Sequence, residues 1–152
     1  MSAEDNLKKM NIQLPEPPNP VGSYVASKIS GNLIYISGQV PFKSDGKLIT
    51  GKVGRELNLE EAQNAAKLCA LNLLAQLKKA CDGNLDKVKG CTKITGYVNS
   101  VDNFTEQPKV INGASDLISK VFEEIGKHTR AAVSVNSLPL GVPVEVDAIF
   151  EI

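Results

Sequence analysis

Val144-Glu145-Val146-Asp147-Ala148-Ile149-Phe150-Glu151-Ile152 closes the chain and decides its fold class. Val144, Val146, Ala148, Phe150 and Ile152 occupy every second position, with Glu145, Asp147 and Glu151 between them. Successive side chains of a strand point to opposite faces, so this pattern describes a strand with one apolar and one polar face. The apolar row must lie against helices or another subunit. The polar row then stands on the other side, where a group such as Glu145 could line a cavity.

The neighbouring segments fit a sheet built around that strand. Arg130 to Asn136 reads as the preceding strand, joined to the last one (Val142 to Ile152) by a turn at Leu138-Pro139-Leu140-Gly141. Before it, Pro108 suits the first turn of a helix. Val110, Ala114, Leu117, Ile118, Val121, Phe122 and Ile125 form the apolar face of that helix, and Gly126 its end. Val88 to Val98 is rich in β-branched residues and predicts another strand. Asn58-Leu59-Glu60-Glu61 has the form of a capping box. It opens a helix whose inner stripe, Ala62, Ala65, Ala66, Cys69, Leu73, Leu77 and Ala80, is small enough to lie close against a sheet, with Gly83 as its C-terminal cap.

Two further β-rich runs, Tyr24 to Ile29 and Leu33 to Gln39, flank Ser30-Gly31-Asn32 and predict a hairpin. Residues 41–57 form an excursion with a tight turn at Asp45-Gly46. Residues 1–21 read as a proline-rich arm, since Leu14-Pro15-Glu16-Pro17-Pro18-Asn19-Pro20 holds four of the eight prolines. The arm is expected to be extended over the surface, with Met10 and Ile12 as anchors. The single domain, residues 22–152, has the order β-β-α-β-α-β-β. This is an α+β two-layer sandwich, a mixed β-sheet with two helices on one face. The other face is left bare, which invites oligomerisation.

Composition removes many functions. The chain has 152 residues, of which 42% are hydrophobic and 22% charged, and Lys+Arg balances Asp+Glu at 17 each. A neutral chain has no broad electrostatic attraction for nucleic acid or anionic membrane. No apolar run is long enough to span a bilayer, and the polar start MSAEDNLKK leads into no apolar signal segment, so the expectation is a cytoplasmic protein. Cys69, Cys81 and Cys91 show no metal or redox spacing, and His128 is the one histidine. Walker A and G-x-G-x-x-G patterns are absent.

Arg55 and Arg130 stand alone against 15 lysines. Arg130 opens a strand of small and apolar residues, Ala131-Ala132-Val133. A planar guanidinium there is either a clamp for a ligand carboxylate or a strand-end salt bridge to Glu145 or Asp147. Glu145 is either a proton-handling carboxylate in a partly dry cleft or part of a solvated, ion-paired face. Tyr24 and Ser37 are candidate hydrogen-bond donors or simple edge and turn residues, and Asn112 is a candidate site residue or a surface helix residue. Cys69 belongs to the core stripe. His128 reads as a charge partner for a helix C-terminus rather than as a reacting group.

Several strings resemble the Rid family, the reactive-intermediate imine deaminases also called YjgF or L-PSP proteins. They are Gly22-Ser23-Tyr24, Ile36-Ser37-Gly38-Gln39, Val110-Ile111-Asn112-Gly113-Ala114, and above all Thr129-Arg130-Ala131-Ala132-Val133 followed by Leu138-Pro139 and Val144-Glu145-Val146-Asp147-Ala148. The resemblance covers about residues 21–152. It implies a chorismate-mutase-like fold and a homotrimer with ligand clefts between subunits. It further implies a hydrolase that deaminates reactive 2-imino or enamine acids, such as 2-aminoacrylate-derived imines, to 2-keto acids and ammonia. Arg130 would bind the carboxylate and Glu145 would place the attacking water. Tyr24, Ser37 and Asn112, with main-chain groups near Gly38 and Ala132, would shape the substrate pocket. No metal or cofactor is implied. A non-catalytic receptor for small carboxylates is the second reading of the same cleft, and RNA cleavage or translation inhibition a third. Many relatives carry cysteine where this chain has Ala132, and the arm and the 41–57 excursion are longer than in compact members.

Overall fold

The computed structural model describes residues 1–152, with a helix α1 (Ala3–Lys9), strands β1 (Ser27–Ser30) and β2 (Leu33–Gln39), helix α2 (Leu59–Ala80), strand β3 (Gly90–Asn99), helix α3 (Gln107–Phe122), and strands β4 (Thr129–Val135) and β5 (Val144–Glu151). The strands form one mixed sheet in the order β1-β2-β5-β3-β4. Only β3 and β4 run parallel; the other pairs are antiparallel.

The alternation of β5 is realised as read. Val144, Val146, Ala148 and Phe150 are buried, while Glu145, Asp147, Ile149 and Glu151 are half-exposed on the other face. α2 and α3 cover the apolar face. The Asn58 side chain accepts from the Glu61 amide at 2.9 Å, and the Glu61 carboxylate accepts from the Asn58 amide at 3.2 Å, completing the expected capping box. At the other end of α2 both Asp82 (φ 54°) and the expected Gly83 (φ 83°) are left-handed. Gly83 donates back to the Lys78 carbonyl at 2.8 Å, a Schellman closure.

The small-residue stripe of α2 lets α3 come very close. A Cβ on Gly113 would collide with the Gln63 carbonyl oxygen, so only glycine fits where the two helices cross. α3 ends at Phe122, earlier than expected, and a short 3-10 segment (Glu123–Gly126) completes the run to Gly126. The C-terminal turn also holds a 3-10 segment, Pro139–Gly141, with Leu140 at φ 62°.

The extended reading of the arm holds only after its first dozen residues. Ala3–Lys9 is helical, capped by Ser2, with Ala3 and Leu7 in the core. Asn6 donates to the Val121 carbonyl at 3.0 Å and Glu4 pairs with Lys78 at 2.8 Å, so α1 is docked on α3 and on the end of α2. α2 and α3 cover one face of the sheet as expected, and α1 is an additional helix seated against that helical layer. Met10 and Ile12 pack against the core as anchors. Residues 13–26 have no regular hydrogen-bonded structure and run towards β1, which starts later than the Tyr24 to Ile29 run suggested. No helix is long and apolar enough to cross a membrane.

Candidate functional site

The site begins with a flaw in the sheet. Ile36 pairs with Ala148 and Gln39 with Val146, so three steps along β2 match two along β5. The extra residue makes a bulge at Ser37-Gly38, which bends the strand and re-aims its side chains. Gln39 stabilises the bulge by donating to the Ser37 carbonyl at 2.9 Å, and the Ser37 hydroxyl donates to the Val25 carbonyl at 2.7 Å. Gly38 faces the Glu145 carboxylate so closely that a Cβ there would overlap Oε1. The carboxylate thus lies in the space that a side chain at Gly38 would occupy.

Around it is a cavity of about 940 Å³. Glu145 and Asp147 of β5, Ser37 and Gly38 of the bulge, and Tyr24 and Val25 ahead of β1 line it. Pro18 to Val21 of the arm form one wall, and Phe42 and Leu140 contribute apolar surface. The Pro18 carbonyl accepts from Gln76 of α2, which ties that wall to the core. The Tyr24 hydroxyl accepts from the Val21 amide at 3.4 Å, leaving its own proton for a ligand.

Glu145 has no cation opposite it; none of the six ion pairs includes it. Burial raises its pKa above the ordinary glutamate value, and the Asp147 carboxylate pushes it further in the same direction. Asp147 is also raised, mainly by burial, although the Tyr97 hydroxyl at 3.1 Å and Lys93 work against the shift. Neither residue forms the expected alternative, a salt bridge to Arg130.

Arg130 lies elsewhere. In register it stands beside Ile94, which stands beside Ala148, and both are buried under the helices. Glu145 stands beside Tyr97, which stands beside Val133, on the uncovered face. Cross-strand neighbours share a face, so Arg130 and Glu145 of one chain point to opposite sides of the sheet. Arg130 Nη1 donates to Asn112 Oδ1 at 2.8 Å and to the Ser115 hydroxyl at 3.1 Å, and Nη2 donates to the Pro108 carbonyl at 3.3 Å. Asn112 is therefore more than a surface helix residue: it orients the guanidinium. All these partners are neutral, so the positive charge is held without a counter-ion.

Two clusters result. Tyr24, Ser37, Gly38 and Glu145 share the cavity. Arg130 and Asn112 meet on the helix side, with Ala132 two residues along β4, half-buried and packed on the core. β4 is a sheet edge, so one row of its main-chain donors and acceptors faces outward. Sequence reasoning did not single out Ser115, the arm residues 18–21, Val25, Phe42 or Tyr97. A serine inside an amphipathic helix and prolines in a coil carry no pattern that marks them as site residues. Cys69 is fully buried in the core stripe, as read, and burial pushes its thiol well up.

Comparison with known proteins agrees with this architecture. A family model described as "YjgF/chorismate_mutase-like, putative endoribonuclease" matches residues 4–150. Protein TCP17 of Trypanosoma cruzi is 46% identical over 148 residues, 97% of this chain and 92% of its own. A 2-iminobutanoate/2-iminopropanoate deaminase of Dermatophagoides farinae is 25% identical over 142 residues, covering 93% of this chain and 94% of its own. The crystal structure of protein Atu1372 from Agrobacterium tumefaciens superposes with a TM-score of 0.90 at 50% identity, covering 99% of this chain and 91% of the other. The chain belongs to the YjgF family and has its chorismate-mutase-like fold.

Proposed function

We propose that this protein hydrolyses 2-imino and enamine acids to 2-keto acids and ammonia, in a cleft completed by a second copy of the chain within a homotrimer. The observation that carries this reading is Glu145. It is a half-buried carboxylate with a raised pKa and no cation, pressed against Gly38 at an apolar-walled cavity. Burial without a partner costs stability, and groups held in that state cluster where proton transfer is needed.

The reaction asks little more of the protein than position and charge. The C2 carbon of an imino acid is already electrophilic. The guanidinium of Arg130, delivered by the β4 edge of a neighbouring copy, grips the substrate carboxylate. Glu145 takes a proton from water as the water oxygen bonds to C2. That proton passes to the nitrogen to give the neutral carbinolamine; Glu145 then carries the carbinolamine's hydroxyl proton to the nitrogen, the C–N bond breaks, and ammonia leaves a carbonyl behind with Glu145 ionised again. Tyr24 and the main chain at Gly38 hold the reacting centre, while Val25, Phe42 and Leu140 receive the substrate's side chain. The exposed Tyr35 and Val133 on the uncovered sheet face, 45% and 46% accessible, favour burial against other copies. The name of the mite relative, a deaminase of 2-iminobutanoate and 2-iminopropanoate, supports the same chemistry.

The test generates 2-iminobutanoate in situ with an amino-acid oxidase and follows the keto acid. The wild-type protein is expected to accelerate hydrolysis over the spontaneous rate. Arg130→Ala is expected to lose about a hundredfold or more in kcat/KM, the scale of a charged bidentate contact removed. An unaccelerated wild type, or an Arg130→Ala variant with full rate, overturns the reading. Saturable binding of 2-oxobutanoate without turnover would instead make the cleft a carboxylate receptor.

A further inference from the structure

The guanidinium of Arg130 is held by a chain of hydrogen bonds that reaches behind it to His128. His128 Nδ1 lies 2.7 Å from the Gly126 carbonyl oxygen, and Nε2 lies 3.0 Å from the Ser115 hydroxyl. A carbonyl oxygen only accepts, so Nδ1 carries the ring proton. In the neutral ring Nε2 is then an acceptor, and the Ser115 hydroxyl donates to it. That choice turns the lone pairs of Ser115 towards Arg130 Nη1 at 3.1 Å. Ser115 is 8% accessible and lies inside α3, so its hydroxyl has little freedom to find water instead.

Donor counting shows what the chain achieves. A guanidinium has five N–H groups. Two on Nη1 go to Asn112 and Ser115, and one on Nη2 goes to the Pro108 carbonyl. The Nε–H and the second Nη2–H remain. Nε and Nη2 together form the side-on edge of the guanidinium, the fork that matches the two oxygens of a carboxylate.

We propose that His128, acting through Ser115, is a positioning residue for Arg130: it fixes the Ser115 hydroxyl as an acceptor, which holds Nη1 and leaves the Nε–Nη2 edge free for the carboxylate of the ligand. His128 bonds a carbonyl at the end of the 3-10 segment, where a helix C-terminal partner was expected, and its other ring nitrogen reaches Ser115. The inference deepens the deaminase reading and rests on it for the identity of the ligand, but not for the geometry of Arg130.

Two measurements separate them. The first is steady-state kinetics on 2-iminobutanoate, with 2-oxobutanoate binding alongside. Ser115→Ala should raise KM and Kd about tenfold, the value of one charge-assisted hydrogen bond, with kcat within about twofold. His128→Phe should raise them about threefold, and His128→Gln, which keeps an acceptor, should stay near wild type. The second is nitrogen-15 NMR of the Arg130 guanidinium in the ligand-free protein. Hindered rotation should give two separate Nη signals in wild type and His128→Gln, merging in Ser115→Ala and His128→Phe. Unchanged Nη signals together with unchanged KM in Ser115→Ala and His128→Phe overturn the inference, and so does a fall in kcat at constant KM. If wild type neither binds nor turns over, the deaminase reading fails, and the Nη signals alone decide the role of His128.

Discussion

The two clusters differ in how complete each one is. The β2–β5 cluster is a chamber: a bulge, an apolar wall supplied by the arm, and a carboxylate without a cation. The β4–α3 cluster is a held cation: a guanidinium fixed by neutral acceptors at a sheet edge, with two N–H groups to spare. Each lacks the charge that the other has. Strand register places them on opposite faces, so the sheet itself keeps them apart within one chain. In the proposed reading each cluster is therefore half of a site that is finished only between copies.

The largest effect is expected from changing the chamber's carboxylate. Glu145→Gln should lower kcat by about a hundredfold or more, since general acid–base assistance is lost while the shape is kept. It should also stabilise the fold in a pH-dependent way. The pKa of Glu145 is raised in the folded state, so the folded state binds more protons than the unfolded one above the ordinary value of 4.5. Stability attributable to this group therefore falls as pH rises from there through the folded pKa. The Gln variant should melt higher than wild type at neutral pH, and the gap should close below pH 4.5, where the carboxyl is protonated in both states. Melting curves across pH check it; a gap that widens in acid would contradict the burial argument.

A smaller effect is expected where the chamber's floor is altered without touching its chemistry. Gly38 is not in the left-handed region, so Ala is allowed by its backbone. The added methyl must displace the Glu145 carboxylate, and a misplacement of that order costs roughly tenfold to a hundredfold in rate. A Gly38→Ala variant with wild-type kcat would separate Glu145 from the chemistry. The smallest effect belongs to the other cluster. Ala132→Cys should leave kcat/KM within about twofold, because the side chain of Ala132 packs on the core.

The legible parts of the molecule are those governed by local period or local capping. The alternation of β5 and the Asn58–Glu61 box predict their elements directly, and both are found. Less local features were not legible. α1 is seven residues long and depends on docking Ala3, Asn6 and Leu7 on α3, an interaction that no local pattern announces. The bulge at Ser37-Gly38 exists only relative to β5, so the pairing must be known before the extra residue shows. The same holds for the separation of Arg130 from Glu145. Both residues were singled out by chemistry, but the face each occupies follows from register through β3, which lies between their strands. Ser115 and His128 are 13 residues apart and meet because α3 folds back over β4. The 41–57 excursion keeps its tight turn at Gly46, φ 81°, while its anchoring by Lys52 to Asn99 and Asn136, both at 2.8 Å, depends on distant strand ends.

In the proposed reading, Arg130 and Glu145 of different copies make one site. Mixing the two disabled variants, Arg130→Ala and Glu145→Ala, and reassembling them from a denatured pool tests it directly. Each variant alone should be inactive. If each site takes its arginine and its glutamate from two neighbouring chains, random reassembly leaves about a quarter of the sites with both groups intact. The mixture should therefore recover about a quarter of wild-type turnover. A mixture that stays as inactive as its parents, beside a reassembled wild type of full activity, would contradict a shared site.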